Sequence, residues 1–152
     1  MDKFDRHILS LLQKDCTLSM SEIAEKVGLS STPCWRRIQA MEKSGIIRGR
    51  VALTDNEKLN VSLTVFVTIR TNQHNPDWLA SFAAVADEFP EVIEFYRMSG
   101  DVDYLLKVVV SDMKAYDKFY KKLITKASFA DISSSFAMEE IKYTTALPVD
   151  YG

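Results

Sequence analysis

Between Ser19 and Gly45 the chain carries two short helix signatures split by a glycine, and few folds accept that pattern. Ser19-Met20-Ser21-Glu22 reads as a capping box, the serine closing free backbone N–H groups while Glu22 reaches back. Met20, Ile23, Ala24 and Val27 form one apolar stripe, and Gly28 stands where a left-handed residue closes a helix. Leu29 anchors the turn. Ser30-Ser31-Thr32-Pro33 then restarts helix, with Ser or Thr as cap and proline in a first turn that does not need its missing donor. Cys34, Ile38 and Met41 give the next buried face, and Gly45 ends it. Ahead of both, Phe4, Ile8 and Leu11/Leu12 mark an amphipathic helix over 3–14. Two helices joined by a short glycine turn, backed by a third, make a helix-turn-helix.

The polar side of the third helix is the chemically suggestive one. Ser30, Ser31, Thr32, Trp35, Arg36, Arg37, Gln39 and Lys43 fall mostly off the apolar stripe. Arg and Gln can bond base edges, whereas Ser and Thr near a helix start suit phosphate oxygens. A solvated basic face accounts equally well for the arginines alone, but Trp35 on that side calls for a cover: DNA, a linker or a partner subunit. The segment 45–53 reads as a strand carrying Arg48 and Arg50, a wing with two phosphate contacts or a plain linker strand. Between positions 1 and 50 nine basic residues face six acids, although the whole chain is at −2. A basic first third ahead of an acidic remainder suggests two units with different partners, the first polyanionic.

The remainder alternates differently. Strands are expected at 62–72, 92–98, 104–110 and 132–141. A helix opening at Pro76-Asp77 carries Trp78, Leu79, Phe82, Val85, Ala86 and Phe89 inward. Another, capped by Asp112, carries Met113, Tyr116, Phe119, Tyr120, Leu123 and Ile124. The order β-α-β-β-α-β gives an antiparallel sheet with both helices on one face. Phe66, Phe95, Tyr96, Leu105, Leu106 and Phe136 supply apolar groups to both faces, and no helix is left to cover the second. A partner subunit is the natural cover.

With 47% hydrophobic residues there is ample core for a soluble globular protein. The longest uncharged apolar run, near 61–69, is far short of the roughly 20 residues a bilayer span needs. The acidic, polar start is not a secretory signal, so cytoplasm is the expected compartment and no membrane partner is expected. Cys16 and Cys34 read as small buried residues rather than ligands or a disulfide framework.

At this point the residues resemble the Lrp/AsnC family of feast/famine regulators, over essentially the whole chain. The matching strings are Asp5-Arg6-His7-Ile8-Leu9, Val27-Gly28-Leu29-Ser30, Thr32-Pro33-Cys34-Trp35-Arg36-Arg37 and Gly45-Ile46-Ile47. In the C-terminal part they are Ser99-Gly100-Asp101-Val102-Asp103-Tyr104-Leu105-Leu106, Asp112-Met113-Lys114-Ala115-Tyr116 and Ser134-Ser135-Phe136-Ala137-Met138-Glu139-Glu140-Ile141-Lys142. The resemblance implies an α+β protein: an N-terminal winged helix-turn-helix (1–50), a strand-bearing linker (51–61) and a ferredoxin-like βαββαβ, RAM-type effector and oligomerisation domain (62–152). It implies a sequence-specific, non-enzymatic transcription regulator of double-stranded DNA. Its assembly, from a homodimer unit up to tetramers or octamers, responds to a small amino acid bound between subunits. No cofactor or metal is expected. The effector loop carried over is Gly100-Asp101-Val102-Asp103-Tyr104, entered through Met98 and Ser99, with Ser134, Ser135 and Phe136 facing it from an adjacent subunit. Glycine lets backbone N–H groups approach a carboxylate, and Asp101 or Asp103 can accept from an ammonium. From the residues alone, Gly-Asp-x-Asp is equally a polar hairpin turn.

In one place the sequence departs from the family. Many members have Pro-Gly-Val before the last strand, where this chain has Ala127-Ser128-Phe129-Ala130-Asp131. Two rivals remain: an architectural DNA packer with little sequence preference, and a tetrapyrrole decarboxylase on the same layout. The decarboxylase would rely on cavity histidines, and neither His7 nor His74 matches the implied pocket. No Ser-His-Asp, Cys-His or metal constellation is evident.

Overall fold

The computed structural model describes residues 1–151, which divide into two compact units. In one, helices α1 (Lys3–Leu12), α2 (Met20–Val27) and α3 (Ser31–Lys43) enclose a core of Ile8, Leu9, Ile23, Ala24, Val27, Cys34, Ile38 and Met41. Each start and stop has a local cause. Asp2 caps α1, its Oδ1 accepting from the N–H groups of Phe4 (2.8 Å) and Asp5 (3.0 Å), while Asp5 accepts from Asp2 N–H in return. Ser19 and Glu22 form the expected box on α2. Gly28, at φ +76°, closes α2, and the N–H groups of Gly28 and Leu29 both return 2.9 Å to the Ala24 carbonyl. Ser30 caps α3 by backbone position, but its hydroxyl makes no capping bond.

The segment 45–53 is not a strand. Ile47 packs on the helical core, and beyond it Val51 and Leu53 are exposed. A lone extended segment has no ladder partner to satisfy its backbone groups, so the wing hairpin does not form here. The two cysteines also differ: Cys34 is buried, whereas Cys16, in the polar loop after α1, is exposed.

The second unit, from Thr54 to Glu140, holds β1 (Leu63–Arg70), α4 (Pro76–Asp87), β2 (Val92–Arg97), β3 (Tyr104–Val110), α5 (Met113–Lys126) and β4 (Asp131–Phe136). The sheet runs β2-β3-β1-β4 and every pairing is antiparallel. Val65, Val67, Ile69, Leu106 and Val108 point one way into a core completed by Phe82, Phe89, Tyr116, Phe119 and Leu123 from the helices. Successive strand residues alternate faces, so Phe66, Tyr96 and Leu105 lie on the uncovered side. Phe95, Leu106 and Phe136 lie on the helix side. Two helical-stripe residues, Met113 and Ile124, lie outside the core and are exposed. β4 is shorter than expected because its partner ends first. Ala137 N–H makes the last bond to Thr64, near the start of β1, and Met138 and Ile141 beyond are open to solvent.

The C-terminal stretch from Ile141 groups with the helical unit rather than with the sheet, unlike the single break expected from sequence. Val149 packs against the α1–α3 core. The Gln13 amide binds Leu147 twice, donating to its carbonyl (3.0 Å) and accepting from its N–H (2.7 Å).

Candidate functional site

The outward stripe of α3 follows from its buried one. With Cys34, Ile38 and Met41 inward, Ser31, Trp35 and Gln39 stack four residues apart on the open side, beside Thr32 and Arg36. Trp35 is 51% exposed, a large aromatic left uncovered in the single chain. Arg36 and Arg48 have no ion-pair partner among the described residues.

Arg37 stands apart from this stripe. Its Nη1 meets Asp2 Oδ2 and Asp5 Oδ1, both at 2.7 Å, and its guanidinium lies 5.4 Å from the Phe4 ring centre. The two carboxylates, Asp5 foremost, push its pKa up. Arg37 therefore ties the start of α1 to α3. Gln39 and Arg50 are also engaged, converging on Glu42 through Nε2 (2.9 Å) and Nη2 (2.7 Å).

In the sheet unit the loop after β2 turns at Gly100, whose φ of +105° suits only glycine. Met98 N–H donates to the Asp103 carbonyl (2.8 Å), and Asp103 N–H to Ile69 (2.9 Å). The Asp103 carboxylate is fixed at one oxygen by Thr71 N–H (2.8 Å), and its other oxygen stands 3.8 Å from His74 Nδ1. A cavity of about 250 Å³ opens here. Arg97, Met98, Asp103 and Tyr104 line it from the hairpin, and His74, Pro76 and Leu79 from the start of α4.

Ser134 and Phe136 line a second hollow of about 360 Å³, with Tyr116 and Asp117 of α5. The Tyr116 and Ser134 hydroxyls bond each other, and burial pushes the Tyr116 pKa up. Within one chain the expected effector residues thus divide. Met98, Asp103 and Tyr104 share the first cavity, and Ser134 and Phe136 the second. Ser99, Gly100 and Asp101 line neither, and Ser135 pairs with Phe66 on the uncovered face.

His74 is a correction to the sequence reading: it lies in the cavity beside the loop. Arg97 and Leu79 were missed there altogether. For Arg97 the available signal was strand parity, since it lies two residues from Phe95 and shares its face.

Residues 64–147 match the family model for the Lrp/AsnC ligand binding domain, and residues 1–48 that for a winged helix-turn-helix DNA-binding domain. The chain belongs to the Lrp/AsnC family. This Lrp/AsnC protein is 52% identical over 151 residues to the DNA-binding transcriptional activator DecR of Escherichia coli K12, covering 99% of each. Its fold superposes on an AsnC family transcriptional regulator from Agrobacterium tumefaciens with a TM-score of 0.97, at 63% identity and 99% coverage of both chains. A Neisseria meningitidis transcriptional regulator solved as its L-Met complex gives 0.94 at 36% identity, covering 99% of this chain and 98% of that one. These relatives are transcription regulators, and this Lrp/AsnC protein is a DNA-binding transcription regulator rather than an enzyme. No helix among the described residues is long and apolar enough to cross a membrane.

Proposed function

We propose that the protein binds double-stranded operator DNA through the open stripe of α3, in the cytoplasm, and that a free amino acid at the 98–104 loop tunes that binding. The observation carrying the DNA reading is the stripe Ser31, Thr32, Trp35, Arg36 and Gln39, exposed and in line on one helix. Arg36 is the base reader, because it has no competing partner. Arg48 and Ser30 contact phosphate. Arg37 acts from behind, holding α1 against α3. Arg50 can reach phosphate only by leaving Glu42.

The neighbour solved with L-Met supports an amino acid as the effector class. Self-association is supported by the uncovered sheet face, where Phe66 and Tyr96 stay exposed beside Leu105. The compact units do not bound the functional domains cleanly, and we assign DNA binding to 1–50, linkage to 51–61 and effector response to 62–140.

Fluorescence anisotropy at fixed salt tests the DNA reading. Arg36→Ala should weaken binding to an operator by about 1–3 kcal/mol and lower the ratio of specific to bulk affinity. Unchanged operator affinity would mean that another face of the helical unit meets DNA.

A further inference from the structure

The cavity beside the 98–104 loop has two charged walls that do not pair with each other. On β2, Phe95 packs onto Phe82 and Tyr104 while Tyr96 turns to the uncovered face, so alternation returns Arg97 to the helix side opposite Tyr104. There it lines the cavity with no ion-pair partner among the described residues. Asp103 lines the same space. Thr71 N–H occupies one of its oxygens, and the other makes no hydrogen bond among the described residues, since His74 at 3.8 Å is too distant for one. A cation and an anion facing one cavity, each with bonding capacity to spare, match the two ends of a zwitterion.

The rest of the wall narrows the choice. Leu79, Met98 and Pro76 are apolar, so a charged ligand side chain lying against them would have no counter-ion. About 250 Å³ is room for roughly eight waters at ~30 Å³ each, or a molecule with a similar number of heavy atoms. We propose that Arg97 binds the carboxylate and Asp103 the ammonium of a free α-amino acid whose uncharged side chain lies against Leu79 and Met98. The assignment rests on the amino-acid reading above and names the ligand's orientation and side-chain class within it. It also makes Arg97 and Leu79, far apart in sequence, the determinants of what is accepted.

Calorimetric titration of the full chain with each of the twenty L-amino acids identifies the strongest binder. That amino acid, its methyl ester and its N-acetyl derivative are then titrated into the parent, Arg97→Met and Asp103→Asn. Arg97 is exposed and Asp103→Asn keeps an oxygen for Thr71 N–H, so both variants should fold; thermal melting checks this. Losing a charge-assisted partner should weaken the free amino acid about tenfold to a hundredfold in Arg97→Met. The methyl ester, which has no carboxylate, should bind Arg97→Met and the parent alike. Correspondingly, the N-acetyl form should not distinguish Asp103→Asn from the parent.

The assignment is overturned if Arg97→Met binds the free amino acid as tightly as the parent, or loses amino acid and ester equally. It is also overturned if the strongest binder has a charged side chain. In those cases the amino-acid reading survives, because the parent still binds. If no amino acid binds the parent, that reading falls and this assignment with it.

Discussion

Gly28 offers a clean perturbation of the turn that orients α3. Its φ is +76°, and a Cβ built there would meet nothing within 4 Å, so Gly28→Ala tests the backbone alone. The left-handed conformation costs an L-residue about 1–2 kcal/mol. Restricting the unfolded chain returns about 0.4–1 kcal/mol. The net is a destabilisation of about 1 kcal/mol, or about 4–8 °C in melting temperature for a unit of this size. Gly49 is the control, since a Cβ there also meets nothing and its φ is not left-handed. Gly49→Ala should be neutral or slightly stabilising. The two tryptophans fall one in each unit, Trp35 and Trp78. On a Trp78→Phe background, fluorescence therefore follows the melting of the DNA-binding unit alone. If Gly28→Ala melts together with the parent and Gly49→Ala, the left-handed turn is not what limits this position.

Acid should loosen the helix starts. Asp2 is held below the usual 3.8 chiefly by Asp5 N–H, Asp112 likewise by Ala115 N–H, and Glu22 below 4.5 by the Ser19 hydroxyl. Their folded pKa values are lowered, so their contribution is whole above those figures and lost as pH falls further. Melting against pH should show Glu22→Gln less stable than the parent at neutrality and converging with it in acid; a constant gap would count against the cap. Phe82, 1% exposed among the rings of Trp78, Phe95, Tyr104 and Phe129, should cost about 3–5 kcal/mol as Phe82→Ala in urea unfolding of the sheet unit. A much smaller loss would show that the ring cluster closes over the gap. Phe66→Arg places a charge on the uncovered sheet face and should shift sedimentation toward monomer; an unchanged assembly would put the subunit interface elsewhere.

The helices were legible because their causes are local. Ser19 with Glu22 and Gly28 lie within one turn of the backbone groups they satisfy, and apolar spacing marks the inner faces. The strands were legible by alternation, but their ends depend on partners: β4 stops where β1 begins, a fact held in residues some seventy positions away. Distance likewise hid the role of Arg37, whose carboxylates at Asp2 and Asp5 belong to another helix. The cavity was half visible. Its loop is one continuous string, whereas His74, Leu79 and Arg97 reach it only once α4 packs on the sheet. The 45–53 stretch had strand composition without a strand to pair with, and composition cannot supply one.

Because Val149 is part of the helical core and the Gln13 amide is matched by Leu147, the DNA-binding half is assembled from both ends of the sequence. A fragment cut at Leu53 would carry all three helices and the whole recognition surface, yet would lack a strip of its own interior. Dissecting this regulator into halves therefore calls for a circular rearrangement, joining the last segment to the first helix, rather than a pair of scissors.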